Sequence, residues 1–185
     1  MRQIVTAVLV VVLCVAAPVA GDPGPGSPAK PTVAATQYKA LLKAYEEEED
    51  AREFAGRFLQ LALDHPKDAV AVDSLCWIAI HVTRGTELGR ALVLLKQQHL
   101  SSKKLAPVCE ALERKFSLPS EELLRSALAK NPHRNVRTQA CFSLARFLQQ
   151  KVTLRSKLAV QPELKPRFEQ FYGKDFTRLL VERFE

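Results

Sequence analysis

Residues 120–150 read SEELLRSALAKNPHRNVRTQACFSLARFLQQ. Asn131-Pro132 splits this stretch, because a proline inside a helix removes a hydrogen bond and clashes with the turn before it. Ahead of the break, Leu124, Ala127 and Leu128 recur at helical spacing. Behind it, Val136, Ala140, Cys141, Leu144, Ala145 and Leu148 form the longest clean apolar stripe of the chain. Leu118-Pro119-Ser120 marks the start, and Glu121 and Glu122 suit the positive end of a helix. The unit is a helical hairpin with one apolar side. A single hairpin cannot bury that side, so partners are required.

Upstream, the same unit recurs. Phe54, Phe58, Leu59, Leu61 and Ala62 make a stripe that stops at His65-Pro66, and Asp68 is placed to cap the helix that follows. That helix carries Val72, Leu75, Cys76, Ala79 and Val82 and is expected to run to about Arg84, with Gly85 as its stop. Thr86 is expected to cap a helix bearing Leu88, Ala91, Leu92 and Leu95. Ser101 or Ser102 is expected to open another, with Leu105, Val108, Cys109, Leu112 and Phe116 on one face. Three hairpins result, at 50–84, 86–116 and 120–150. Each carries a cysteine in its second helix, and Cys76, Cys109 and Cys141 stand 33 and 32 residues apart. A period of that size marks stacked helical repeats. The predicted fold is therefore all-α: a HEAT/TPR-like stack of antiparallel hairpins. A helix bearing Tyr38, Leu41, Leu42 and Tyr45 flanks it on one side, and Val152–Leu158 extends the third hairpin. A short helix ending at Gly173 and another carrying Phe176, Leu179, Leu180 and Phe184 follow.

The chain has 185 residues, a formal net charge of +7 and 25% charged side chains, which fits one packed domain with a tail. Its first residues, MRQIVTAVLVVVLCVAAPVA, have a positive start, a short apolar run and small residues before GDPGPGSPAKP. This is the layout of a signal peptide, expected over 1–21. Retention of residues 4–20 as a membrane anchor is the alternative, although the run is short for a span. Residues 22–33 read as a flexible tether, 34–158 as the helical-repeat domain and 159–185 as C-terminal helices or a truncated linker to a missing domain. The expectation is an exported chain, with no membrane span once the signal is removed.

The candidate chemistry is sparse. Cys76, Cys109 and Cys141 have neither C-x-x-C nor zinc-ligand spacing, so they read first as small buried hydrophobes. A disulfide or a redox role is the alternative in an oxidising compartment. His65 and His133 fall in turns, and His81 is four residues from Trp77, spaced for ring packing. The acidic run Glu46–Asp50 lacks the ligand pattern of a calcium loop and reads as a solvated face or a break between helices. No phosphate loop or hydrolase motif occurs, and no cofactor, metal or catalytic residue is expected. Charge is uneven: residues 22–83 hold 6 basic and 10 acidic side chains, residues 84–185 hold 20 and 10. Arg134, Arg137, Arg146, Lys151, Arg155 and Lys157 concentrate positive charge and form the candidate patch for an anionic partner, such as an envelope component. Nucleic acid is not an expected partner.

FLQLALDHPKDAVAVDSLCWI (58–78), LLRSALAKNPHRNVRTQACFSLARFL (123–148) and FYGKDF (171–176) together resemble one family. It is the helical region that precedes the thioredoxin-like domain in secreted planctomycete-type redoxin-domain proteins. The resemblance spans about residues 36–180. The third hairpin is also similar to a HEAT-type repeat, with Arg134 and Arg137 near the start of its second helix. The resemblance implies redox chemistry in a following domain whose cysteine motif has no counterpart here, so no catalytic residue carries over. The expected function is a non-catalytic module for protein–protein interaction, associated with a redoxin-containing protein. The alternatives are a thiol-dependent redox protein using Cys76, Cys109 or Cys141, and a truncated remnant without independent function.

Overall fold

The computed structural model describes residues 32–48 and 50–181. The signal peptide and most of the tether expected from sequence lie outside these residues. Among the described residues there are nine α-helices and no strand. They are α1 (Val33–Glu48), α2 (Ala51–Asp64), α3 (Ala69–His81), α4 (Thr86–Gln98), α5 (Leu105–Leu112), α6 (Leu118–Lys130), α7 (Arg134–Val160), α8 (Lys165–Tyr172) and α9 (Lys174–Val181). A 3-10 turn at Pro162–Leu164 joins α7 to α8.

Helices α2, α4 and α6 pack side by side in one layer, and α3, α5 and α7 in the other. α2 pairs with α3 and α6 with α7, as antiparallel hairpins. The middle pair is splayed: α4 leans on α3 and α6, while α5 leans on α3, α6 and α7. The cause is the brevity of α5. Its expected start at Ser101 or Ser102 is replaced by a turn, in which Ser102 Oγ accepts the Lys104 N–H at 3.2 Å. The helix begins at Leu105, which places Pro107 in its first turn, where proline is tolerated.

The local signals explain most boundaries. Asp50 and Asp68 cap α2 and α3 by accepting the N–H groups of Arg52 and Val70. Ser117 caps α6 in the same way, with Pro119 in the first turn. Thr32 closes the start of α1, accepting the Ala35 N–H at 3.1 Å and donating to Asp68 Oδ2 at 3.0 Å. Two boundaries differ from expectation. α3 ends at His81, not Arg84, because Lys115 Nζ donates to the carbonyls of Ala79, Ile80 and Val82 and closes the helix there. Thr86 is the first residue of α4, not its cap. Gly85 takes the cap position with no side-chain hydrogen bond, and Thr86 Oγ1 turns to Glu87 instead.

The core is continuous through the stack. Phe54, Phe58, Ile78, Leu92, Leu105 and Leu124 are all essentially inaccessible to solvent. Trp77 stacks on Phe58 at 4.0 Å, and Tyr45 of α1 meets the Trp77 ring edge-on at 4.9 Å, so α1 covers the first hairpin. At the other end, Phe176 and Leu180 of α9 are buried beside α7, with Phe116 and Phe147 in aromatic contact with Phe176. No helix among the described residues is long and apolar enough to cross a membrane.

Candidate functional site

The three cysteines sit in α3, α5 and α7, one per hairpin, and all are free thiols. Two behave as expected of small hydrophobes. Cys76 and Cys109 are buried, and burial pushes each thiol up to about 12, with Asp73 adding to the effect at Cys76. Cys76 Sγ also donates to the Lys104 carbonyl at 3.8 Å. Thiols held protonated in this way are poor nucleophiles. Cys141 departs from the expectation: it is exposed. The inward side of α7 is Val136, Ala140, Ser143, Leu144, Phe147, Lys151 and Leu158. Cys141 is one step of 100° beyond Ala140, on the flank of α7 away from α5. In α3, the residues on both sides of the stripe are covered because α1 lies on one side and α5 on the other. At α7 the row of hairpins ends.

The six cations expected to form one patch are divided among three sides of α7. Helical periodicity places Arg134, Arg137 and Arg155 along one flank, Arg146 and Lys157 along the opposite one, and Lys151 inward. Several have structural work. Arg137 Nη1 donates to the carbonyls of Asn131 and Pro132 and closes the α6–α7 turn. Arg146 pairs with Glu113. Lys151 is buried and pairs with Glu121 at 2.8 Å. Burial alone would raise the Glu121 carboxyl, but hydrogen bonds and charge from Lys151 and Arg125 outweigh it and hold the group below its ordinary range.

His81 stacks on Trp77 at 4.9 Å, as its spacing implied, and burial together with Lys115 lowers its basicity. His65 and His133 stand at the hairpin turns as helix boundary residues. No group of three or more His, Cys, Asp and Glu among the described residues could hold a metal ion.

A cleft that gathers cations around aromatic rings lies elsewhere. In a stack of hairpins, the turns inside hairpins line one edge and the turns between hairpins line the other. The second edge, at the α3–α4 and α5–α6 connections, is crossed by the α8–α9 corner at Gly173 and forms a cleft of about 620 Å³. That volume lies in the range of small-ligand sites, about 300–1,000 Å³. Its cations are Arg52 at the start of α2, Arg84 before Gly85, and Arg114 and Lys115 ahead of α6. Its apolar floor is Leu88, Phe116, Pro119, Phe171 and Tyr172. No carboxylate lines it, although Glu87 lines a smaller groove that shares Arg52, Arg84 and Gly85. Arg114 also borders the α5–α7 groove that holds Glu110 and Glu113.

Among the described residues, Arg52, Arg84 and Arg114 make no ion pair. The Arg84 guanidinium lies 5.9 Å from the Phe171 ring, which is 52% exposed, and Arg167 approaches the same ring at 5.9 Å. Phe116 meets Tyr172 edge-on at 5.8 Å, which ties the floor to the core. Lys115 contributes charge but not reach, because its three carbonyl partners fix it. Burial lowers its ammonium to about 8. None of these cations was singled out from sequence. Their shared signal is position: each arginine or lysine is at a helix boundary on the same edge of the stack.

No family model, no curated protein and no solved structure matches the chain.

Proposed function

We propose that the chain is an exported, non-catalytic helical-repeat module that holds a protein partner, in the context of a redoxin-containing protein. The observation that carries the interaction reading is the loop-edge cleft, where three arginines that form no ion pair among the described residues surround an aromatic floor. Charge left unpaired beside exposed aromatic surface suits recognition, since arginine and aromatic residues supply most of the energy at protein interfaces. The HEAT-type resemblance of the third hairpin and the export signal over 1–21 support the same reading, because repeat stacks present extended surfaces to partners.

A photo-crosslinking residue in place of Phe171, in cells making the protein, tests it. The expected result is one defined crosslinked partner from Phe171 and none from Val160, which is 80% exposed on the far end of α7. Equal crosslinking from both positions would argue against a specific site.

The thiol-redox alternative reduces to Cys141, the one exposed thiol of the three. Iodoacetamide at neutral pH should modify Cys141 and spare Cys76 and Cys109 until the protein is denatured. Modification of Cys141 faster than that of a free thiol such as glutathione would favour the redox alternative, and a rate no faster would count against it.

A further inference from the structure

We infer that the loop-edge cleft binds an acidic peptide segment that also carries an aromatic or large aliphatic side chain. The inference rests on the proposed interaction function and specifies what the partner presents. Three features select this ligand chemistry. The cations are dispersed: Arg52, Arg84 and Arg114 come from three different connections, so a single small oxyanion would satisfy only part of the set. The floor is apolar, so a purely anionic ligand would leave the exposed half of Phe171 in water. The cleft is also open along one side and holds about 620 Å³, a size that admits a short stretch of extended chain.

The electrostatics agree. Arg84 lies 5.9 Å from the centre of the Phe171 ring and makes no ion pair among the described residues, so its N–H groups are available to a carboxylate. α4, thirteen residues long, directs its positive end at the same place, and Gly85 gives it no side-chain cap. Of the surrounding carboxylates, Glu113 is engaged with Arg146 and Ser143 and Glu121 with Lys151 and Arg125, while Glu87 accepts from Thr86 and stays beside Gly85 at the border of the cleft. A partner carboxylate therefore competes with Glu87 at the start of α4, while Glu113 and Glu121 are already engaged. An apolar side chain beside it would extend the Phe116–Tyr172–Phe176 aromatic cluster outward.

The test is titration calorimetry of the full chain with two blocked peptides, one alternating glutamate and phenylalanine and one of glutamate alone, plus inorganic phosphate. The Glu/Phe peptide should bind, and binding should weaken as salt rises. The double variant R52A/R84A should bind it about tenfold or more weakly. Arg84→Lys, which keeps charge but not the planar fork, should fall between the two. R134A/R155A, on the exposed flank of α7, should bind as the unaltered chain does. Unchanged affinity in R52A/R84A, with helical circular dichroism intact, overturns the proposal. So does equal binding of the all-glutamate peptide, which would remove the role of the aromatic floor, or binding of phosphate alone, which would make the cleft a small-anion site. These outcomes are independent of crosslinking from Phe171. A persistent crosslink without peptide binding would reject the ligand class and keep the interaction function.

Discussion

Lys151 and Glu121 bring out how one residue type can serve opposite ends. Lys151 repeats the spacing of Ala140, Leu144 and Phe147 on α7, so the helix itself carries the ammonium inward to Glu121. In sequence it reads as one more cation beside Arg146 and Arg155. Only the periodicity separates it from them. Removing one partner of a buried pair typically costs about 3–5 kcal/mol. Lys151→Ala should fall near the low end, about 3 kcal/mol in urea denaturation, because Arg125 still contacts Glu121. The pH dependence has a definite sign. The Glu121 pKa is lower in the folded chain than its ordinary 4.5. Its contribution is therefore present above that value and is lost as pH falls through the lower, folded one. Glu121→Gln should flatten this part of the acid limb of the stability curve; an unchanged limb would show that other carboxylates govern it. Cys141 shows the opposite misreading. Its neighbour Ala140 was correctly placed inward, but too wide a stripe swept in both Cys141 and Ala145, which are exposed. Sequence periodicity resolves a face only to about one residue on either side, and in α3, covered on both flanks, the same width would have been right.

At the scale of elements, the turns set more than the helices do. Gly173 has φ 86 and ψ 153, a conformation open almost only to glycine, and its hypothetical Cβ would meet nothing within 4 Å. Strain, not crowding, is thus the sole cost of a side chain there. Gly173→Ala should lower stability by about 1–3 kcal/mol and loosen the α8–α9 corner. Gly89, inside α4 and equally uncrowded, should do the reverse: Gly89→Ala should raise the melting temperature through a helix-propensity gain of about 0.5–1 kcal/mol. A loss at both positions would mean that space, not backbone conformation, is limiting. These elements were largely legible beforehand. Asp68, Pro119 and Gly173 announced their boundaries through local chemistry that acts within a few residues. The C-terminal end of α3 and the start of α5 were not legible. The first is closed by Lys115, which lies more than thirty residues away along the chain, and the second by a turn whose serines cap nothing helical.

In the whole molecule, the stacking of hairpins gathers on one edge cations that the sequence keeps far apart. Arg52 belongs to the acidic first third, yet it faces the same cleft as Arg84 and Arg114. No window along the sequence could have assembled that set, because the stacking of hairpins brings the connections together. The same stacking predicts how stability is distributed. Each helix of such an array draws its energy from its neighbours, so an inner helix is held from more directions than an outer one. α3 touches α1, α2, α4 and α5, and nine of its thirteen residues are buried. α8 touches α9 and the preceding 3-10 turn and has no buried residue. Amide hydrogen exchange should therefore be slowest in α3 and its neighbours and fastest in α8, with α1 and α9 between them. Ligand in the cleft should slow exchange at the α8–α9 corner first, since Phe171 and Tyr172 form part of the floor while the inner helices are already protected. Uniform protection along the chain would mean that the stack opens only as a unit. In that case the corner is not a separately yielding wall of the cleft but part of one rigid surface.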